Sequence, residues 1–230
     1  MEKYRKTENK KQKRVTAKKT PPQPDNRKFL FYLSVAIIVL SAWFAMSYAL
    51  KCGFVNYDDD LYVYGNQKIR NLSMQSVPSF FTGNTGQYPP LVMLMFSAVF
   101  SLFGPDPTAY HLVNLIFHVL NALLVFCLAS RLKLGQIAAT VAAVLFGIHP
   151  LHVESVAWVT ELKDVQYTFF FLAGLLAYLR YRSDDGRFRY YYLSLAFFIL
   201  SCLSKGMAVV FPAVLPLIDY YLDRSVPKKK

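Results

Sequence analysis

Asp58, Asp59 and Asp60 stand side by side just after a charge-free apolar stretch, Phe29 to Leu50. Carboxylates held at the mouth of such a stretch suit two kinds of chemistry: a general base that takes a proton from an acceptor hydroxyl, or a ligand set for a divalent cation. A solvated acidic turn is the plain alternative. Further along, His149-Pro150-Leu151-His152-Val153-Glu154 offers two imidazoles and a carboxylate. Their spacing is not that of a zinc helix such as H-E-x-x-H, and Pro150 breaks the helix between the rings, so no metal site is assigned. Polar caps on helix ends at the floor of a cavity are the expected role. Lys163 and Lys205 suit a lipid phosphate or pyrophosphate, with snorkelling at a helix end as the alternative. Finally, His111, Asn114, His118 and Asn121 recur at steps of 3, 4 and 3, which is one helical face. Inside an apolar span such a stripe must meet other helices or a watery cavity.

These groups need elements to hold them. The chain of 230 residues is 54% apolar and 16% aromatic, with a mean hydropathy of +0.27, too greasy for an ordinary soluble fold. Phe29 to Leu50 covers the ~30 Å hydrocarbon core at ~1.5 Å per helical residue. It is too long for the apolar core of a cleaved signal peptide and ends without a small-residue cleavage site, so it reads as a retained anchor. Spans are expected near 29–50, 110–132, 134–148, 165–181, 190–203 and 207–222. Leu91 to Phe103 is short and reads as a re-entrant or interfacial helix, begun by Pro89-Pro90 and ended by Gly104-Pro105-Asp106-Pro107.

Charge tests this arrangement. With six crossings, 21 of the 26 basic residues fall on the side of the N-terminus; if Leu91 to Phe103 also crossed, the division would be 13 against 13. The positive-inside bias favours six and places the N-terminus in the cytosol. The same topology sends Asp58 to Asp60, Tyr88-Pro89-Pro90, His149 to Glu154, Glu161 to Asp164 and Lys205 to one exoplasmic face, as a single composite site would require.

The expected fold is all-α: a polytopic membrane helix bundle of about six transmembrane helices with a long exoplasmic loop carrying interfacial helices. Residues 1–28 form a disordered basic cytosolic tail, 29–223 the membrane domain with its exoplasmic loop at 51–109, and 224–230 a basic cytosolic end. The tail holds 11 of the Lys and Arg residues, and anionic membrane lipids are its expected partner. Nucleic acid is not expected, because no aromatic or glycine pattern interleaves the charges. Cys52, Cys127 and Cys202 lie far apart and imply neither a disulfide framework nor a metal motif. There is no Walker loop and no G-x-G-x-x-G, so a cytosolic sugar-nucleotide enzyme is unsupported.

Taken in order, Phe54-Val55-Asn56-Tyr57-Asp58-Asp59, Tyr88-Pro89-Pro90-Leu91, His111-Leu112-Val113-Asn114, His118, Asn121, the run from His149 to Val159, Lys163-Asp164 and Leu203-Ser204-Lys205 carry a resemblance. They resemble the membrane part of the transmembrane and tetratricopeptide-repeat containing proteins, including bacterial relatives. That family is similar to the protein O-mannosyltransferases of the GT-C superfamily. The likeness covers roughly residues 29 to 223.

The resemblance implies a multi-pass membrane glycosyltransferase. It would move a sugar, mannose, from a polyprenyl-phosphate donor to a hydroxyl of a protein acceptor on the exoplasmic face. Asp58 and Asp59 would be catalytic, one of them deprotonating the acceptor, with Asp60 given no role. Tyr88, His111, His149, His152, Glu154 and Asp164 would line the cavity, and Lys163 and Lys205 would meet the carrier phosphate. The donor brings its own leaving group, so no soluble cofactor is required; dependence on a divalent metal stays open. Leu162 departs from the arginine that relatives often place before the Lys-Asp pair, which removes one phosphate contact. GT-C enzymes have more spans, and the family adds C-terminal repeats, so a chain ending at Lys230 reads as a truncated GT-C-like N-terminal half. A bacterial plasma membrane is expected rather than the endoplasmic reticulum. The rival reading is a non-catalytic membrane scaffold or lipid-carrier binding protein of the same fold.

Overall fold

A computed structural model describes residues 26–82, 89–183 and 187–225. Tyr88, most of the expected tail and the last five residues lie outside these. The chain divides into two compact units, Met1–Leu33 and Ser34–Lys230. The described part of the first is the opening of one helix; the second holds everything that follows.

Among the described residues the structure is helical, without a strand. Helix α1 is Asn26–Met46, continued by a 3-10 turn, Ser47–Lys51. A loop follows, carrying a π-helical turn at Asp60–Tyr64, a 3-10 turn at Gln67–Arg70 and the short α2, Val77–Thr82. Next come α3, Pro90–Phe103; α4, Pro107–Arg131; and α5, Gln136–Ile148. A broken segment holds α6, Val153–Ala157, between 3-10 turns at Pro150–His152 and Val159–Glu161. Then α7, Leu162–Ser183, and α8, Phe188–Ser204, lead through a 3-10 turn at Gly206–Val210 into α9, Phe211–Ser225.

Local chemistry sets several of these boundaries. Asp106 caps α4 by accepting from the Thr108 amide at 3.0 Å, with Pro107 in the first helical position, where its missing N–H costs nothing. The last turn of α3 stops at Gly104, whose φ of 66° an L-residue resists, and its amide bonds back to Phe100 O at 2.8 Å. His149-Pro150 stops α5 because proline disfavours a helical residue before it.

Helices occupy every apolar stretch singled out in the sequence, but not all of them meet the demands of a bilayer. Asn26–Lys51, Pro107–Arg131 and Gly206–Asp223 are long and apolar enough to cross a membrane; α5 together with Pro150–Ala157 makes a fourth if its 49° bend lies within one span. Length and composition thus account for three or four of the six expected crossings. The shortfall has a physical cause: α7 is long but begins with Lys163, Asp164 and Gln166 and ends with Arg180 and Arg182, while α5 and α8 are 13 and 17 residues. Large apolar side chains, among them Phe44, Leu102, Ile137, Val209 and Leu217, are exposed, as a lipid-facing surface requires.

Helix α4 packs against both α5 and α7, and α7 packs along α8. Where α1, α4 and α5 meet, small residues allow close approach: a Cβ built on Gly147 would stand 2.9 Å from Ala42 Cβ and 3.5 Å from Ala122 Cβ. Those are stubs fixed to helix backbones and cannot swing aside. Gly147→Val is therefore expected to force the helices apart at a cost of about 1–3 kcal/mol. A thermal unfolding curve in detergent reads this directly, and an unchanged midpoint would show that the contact tolerates a side chain.

The loop between α1 and α4 has a core of its own. Tyr62, Ile69 and Phe80 bury against Phe96 of α3, Tyr110 of α4 and Leu162 of α7. Burial of each large side chain contributes roughly 1.5–3 kcal/mol. Ser97 of α3 donates its hydroxyl to Ile69 O at 2.8 Å, fixing the 3-10 turn from above. This packing holds the loop against the bundle and positions Asp58 and Asp59 ahead of the π turn that Asp60 opens.

Candidate active site

The three consecutive aspartates have three different environments. Asp59 is 0% exposed. Its Oδ2 accepts the Val55 amide at 2.8 Å, and its Oδ1 accepts both the Thr160 amide at 3.0 Å and the Thr160 hydroxyl. A buried carboxylate without donors would be costly; three donors make this one a clasp between the loop and the turn ahead of α7. Asp60 is exposed, and its Oδ1 accepts the Leu61 amide at 2.7 Å. Asp58 is partly open, its side chain 25% exposed, and its Oδ2 lies 3.8 Å from Lys163 Nζ. The turn itself is set by the Tyr57 amide bonded to Val55 O at 2.9 Å and the Tyr62 amide bonded to Asp58 O at 3.0 Å.

From Asp58 a ladder of alternating charge runs across the start of α7. Lys163 pairs with Asp58 and, at 3.0 Å, with Glu161; Lys205 lies 3.9 Å from Glu161 and closes on Asp164. Ser155 Oγ approaches Asp164 Oδ2 at 3.5 Å. Aromatic rings flank the cations: Lys163 Nζ lies 5.7 Å from the Trp158 ring centroid and Lys205 Nζ 5.9 Å from that of Tyr167. Burial pushes the Glu161 carboxyl above its ordinary range, a hydrogen bond with Asp164 pushes it the same way, and Lys163 pulls it back. Lys205 owes its place to the end of α8, where it follows the last helical residue in extended conformation.

The polar stripe of α4 spends itself on backbone. Asn114 Nδ2 donates to Trp158 O at 2.9 Å, His118 Nε2 pairs with Gly147 O at 2.9 Å, and Asn121 Nδ2 donates to Val165 O at 2.8 Å. One of these carbonyls, that of Trp158, lies where the chain breaks between α5 and α7, and that of Gly147 belongs to the last turn of α5, where helical partners run out. His111 is fully buried with neither ring nitrogen in a hydrogen bond of good geometry.

Two cavities flank the Asp164–Lys205 pair. A polar one of about 180 Å³ is lined by His118, Asn121, His152, Ser155, Asp164 and Tyr167, among others. A larger one of about 480 Å³, mostly apolar, is lined by Pro89, Lys163, Cys202, Lys205, Gly206 and Met207. The His152 ring lies tilted at 43° against that of Phe146, centroids 4.5 Å apart, and His149 caps the Pro150–His152 turn by accepting the Leu151 amide at 3.2 Å.

Of the residues singled out in the sequence, the structure brings together Asp58, Lys163, Asp164 and Lys205, with His152 on the adjoining cavity wall. Asp59 stands beneath them. Glu154 is exposed, His111 is in the core of the bundle, and Tyr88 lies outside the described residues. Among the described residues no group of three or more His, Cys, Asp and Glu side chains is arranged to hold a metal ion. Sequence reasoning missed Thr160, which no pattern distinguishes from any other threonine in a turn. It also left Glu161 out of the candidate list, although its place in Glu161-Leu162-Lys163-Asp164 was a usable signal.

Residues 87–225 match the family described as dolichyl-phosphate-mannose-protein mannosyltransferase. Over 191 residues the chain is 27% identical to the Homo sapiens protein O-mannosyl-transferase TMTC3, covering 77% of this chain and 20% of that protein. It is 33% identical over 142 residues to the Drosophila melanogaster protein O-mannosyl-transferase Tmtc1, covering 58% and 16%. With the Homo sapiens protein O-mannosyl-transferase TMTC2 it shares 36% identity over 106 residues, covering 46% and 13%. The chain thus spans about a fifth or less of the length of these relatives. No solved structure gives a significant match.

Proposed function

Because the chain belongs to the dolichyl-phosphate-mannose-protein mannosyltransferase family, we propose that the charge ladder is the sugar-transfer site of a GT-C type membrane enzyme. The donor is a polyprenyl-phosphate sugar, mannose by the names of the relatives, and the acceptor a hydroxyl of a protein on the exoplasmic side. One observation carries the reading: of the adjacent carboxylates, Asp59 is used up as a clasp while Asp58 stays open beside Lys163.

The reaction assigns each group a task. The acceptor oxygen attacks the anomeric carbon, the bond from that carbon to the phosphate oxygen breaks, and the carrier leaves as a polyprenyl phosphate. Asp58 takes the proton of the acceptor hydroxyl as its oxygen becomes nucleophilic. Lys163 and Lys205 meet the charge that gathers on the departing phosphate. Binding of the donor would exchange the Lys205–Asp164 contact for one with a phosphate oxygen. The polar cavity suits the sugar and the apolar one the first isoprene units of the carrier. Six crossings with the N-terminus in the cytosol remain the topology that puts this end of the bundle outside.

The non-catalytic scaffold is favoured by one observation, that both lysines are already paired with carboxylates. Donor titration separates the two readings. In membranes containing the protein, transfer from polyprenyl-phosphate mannose to a hydroxyl-bearing peptide is expected to saturate with donor. Lys205→Met is expected to raise the donor KM roughly ten- to hundredfold, the equivalent of one charge-assisted contact, with a smaller change in kcat. Donor binding without transfer in either form would leave the scaffold standing.

A further inference from the structure

At the other end of α7, a helix of 22 residues and so about 33 Å long, three helix ends enclose a third cavity. Its volume is about 340 Å³, and it is lined by Arg131, Lys133, Arg182 and one carboxylate, Asp223, beside Leu179 and Leu222. We propose that this cavity binds a phosphate group, that of an anionic phospholipid in the leaflet opposite the ladder. The proposal is independent of the transfer reading.

The charges in the cavity are unequally committed. Arg182 is fixed by Asp219 at 2.9 Å and Asp223 at 3.5 Å, on the facing side of α9. Among the described residues, Arg131 and Lys133 have no carboxylate within ion-pair distance. Among the described residues these two cations at the mouth of the cleft lack a counter-charge, and an anion would supply it. Leu179, itself almost fully buried, and the half-buried Leu222 line the cleft beside the cations, an apolar surface that a glycerol backbone and acyl chain would meet and a free phosphate would not.

The backbone at Lys133 supplies a second, independent sign. The chain leaves α4 through a turn in which the Lys133 amide bonds to Ser130 O at 3.1 Å and the Leu134 amide to Ala129 O at 3.1 Å. That turn requires a left-handed residue at its corner, a place where glycine is favoured, yet Lys133 holds it with φ of 65°. A lysine kept where it strains the backbone points to a use for its ammonium group.

The same strain gives a clean test. The protein is purified in micelles doped with phosphatidylglycerol or phosphatidylcholine, and native mass spectrometry counts the lipids retained. Wild type is expected to prefer phosphatidylglycerol, and Arg131→Gln with Lys133→Gly to lose about five-fold of that preference for each cation removed. Lys133→Gly relaxes the turn, so its unfolding midpoint should hold or rise, which excludes unfolding as the cause. Lys18→Gln with Lys19→Gln, in the basic tail, should keep the preference. Undiminished selectivity in the cavity variant, or an equal loss in the tail variant, overturns the proposal. Displacement of bound phosphatidylglycerol by excess inorganic phosphate overturns the lipid assignment in favour of a soluble phosphate.

Discussion

Asp58→Asn is expected to lower sugar transfer by about 10²- to 10⁴-fold, the usual worth of a positioned general base, with no loss of fold. The substitution keeps the shape of the side chain and removes its capacity to take a proton. Asp58 is well placed for that part: its carboxylate is partly open, Lys163 lies 3.8 Å away, and no backbone amide among the contacts described leans on its side chain. The bond that holds the turn runs from the Tyr62 amide to the Asp58 carbonyl, which asparagine preserves. Asp60→Asn serves as the control, since its exposed carboxylate only accepts the following amide and an asparagine oxygen can do the same. The measurement is initial rate of transfer from polyprenyl-phosphate mannose, taken beside an unfolding curve for each variant. Full activity in Asp58→Asn would remove the base and leave the non-catalytic reading in its place.

Asp59→Ala should behave in the opposite sense, failing first as a protein. It removes the acceptor of two backbone amides and one hydroxyl in a site closed to water. Each buried donor left unpaired costs about 1–3 kcal/mol, so a loss of roughly 3–5 kcal/mol is expected, in the range seen when one partner of a buried charged contact is deleted. The loop would come away from the turn ahead of α7 and take Asp58 with it. Asp59→Asn keeps the volume but turns an NH₂ group toward either the Val55 amide or the Thr160 donors, so it should also lower the unfolding midpoint, by less. Thr160→Val, which removes the hydroxyl alone, should fall between Asp59→Asn and wild type. A stable but inactive Asp59→Asn, together with an active Asp58→Asn, would exchange the roles assigned to the two aspartates.

The membrane class, the helical content and the face shared by His111, Asn114, His118 and Asn121 follow from the sequence, because they depend on apolar length and on a period of 3.6 residues. The helix stops at Gly104 and at His149-Pro150 are equally local: they express what glycine permits and what proline forbids. The gathering of Asp58, Lys163, Asp164 and Lys205 at one end of the bundle was anticipated by counting charges across the spans, and the three-dimensional structure brings those residues into contact.

The division of labour among the aspartates was beyond any local pattern. Residues 58, 59 and 60 have the same side chain and sit in one turn, so composition and spacing cannot rank them. Their difference comes from Thr160, 101 residues further along, whose amide and hydroxyl select one carboxylate and bury it. The same is true of Lys163 and Lys205, which read as free cations in the sequence and prove to be rungs between Glu161, Asp58 and Asp164. A helical membrane protein with charged side chains gathered at one end could be read from the residues alone, since hydropathy and charge act along the chain. Only the tertiary structure decided which carboxylate is closed off and which stands open, because hydrogen bonds between distant segments are made by packing and leave no periodic trace in the residues that form them.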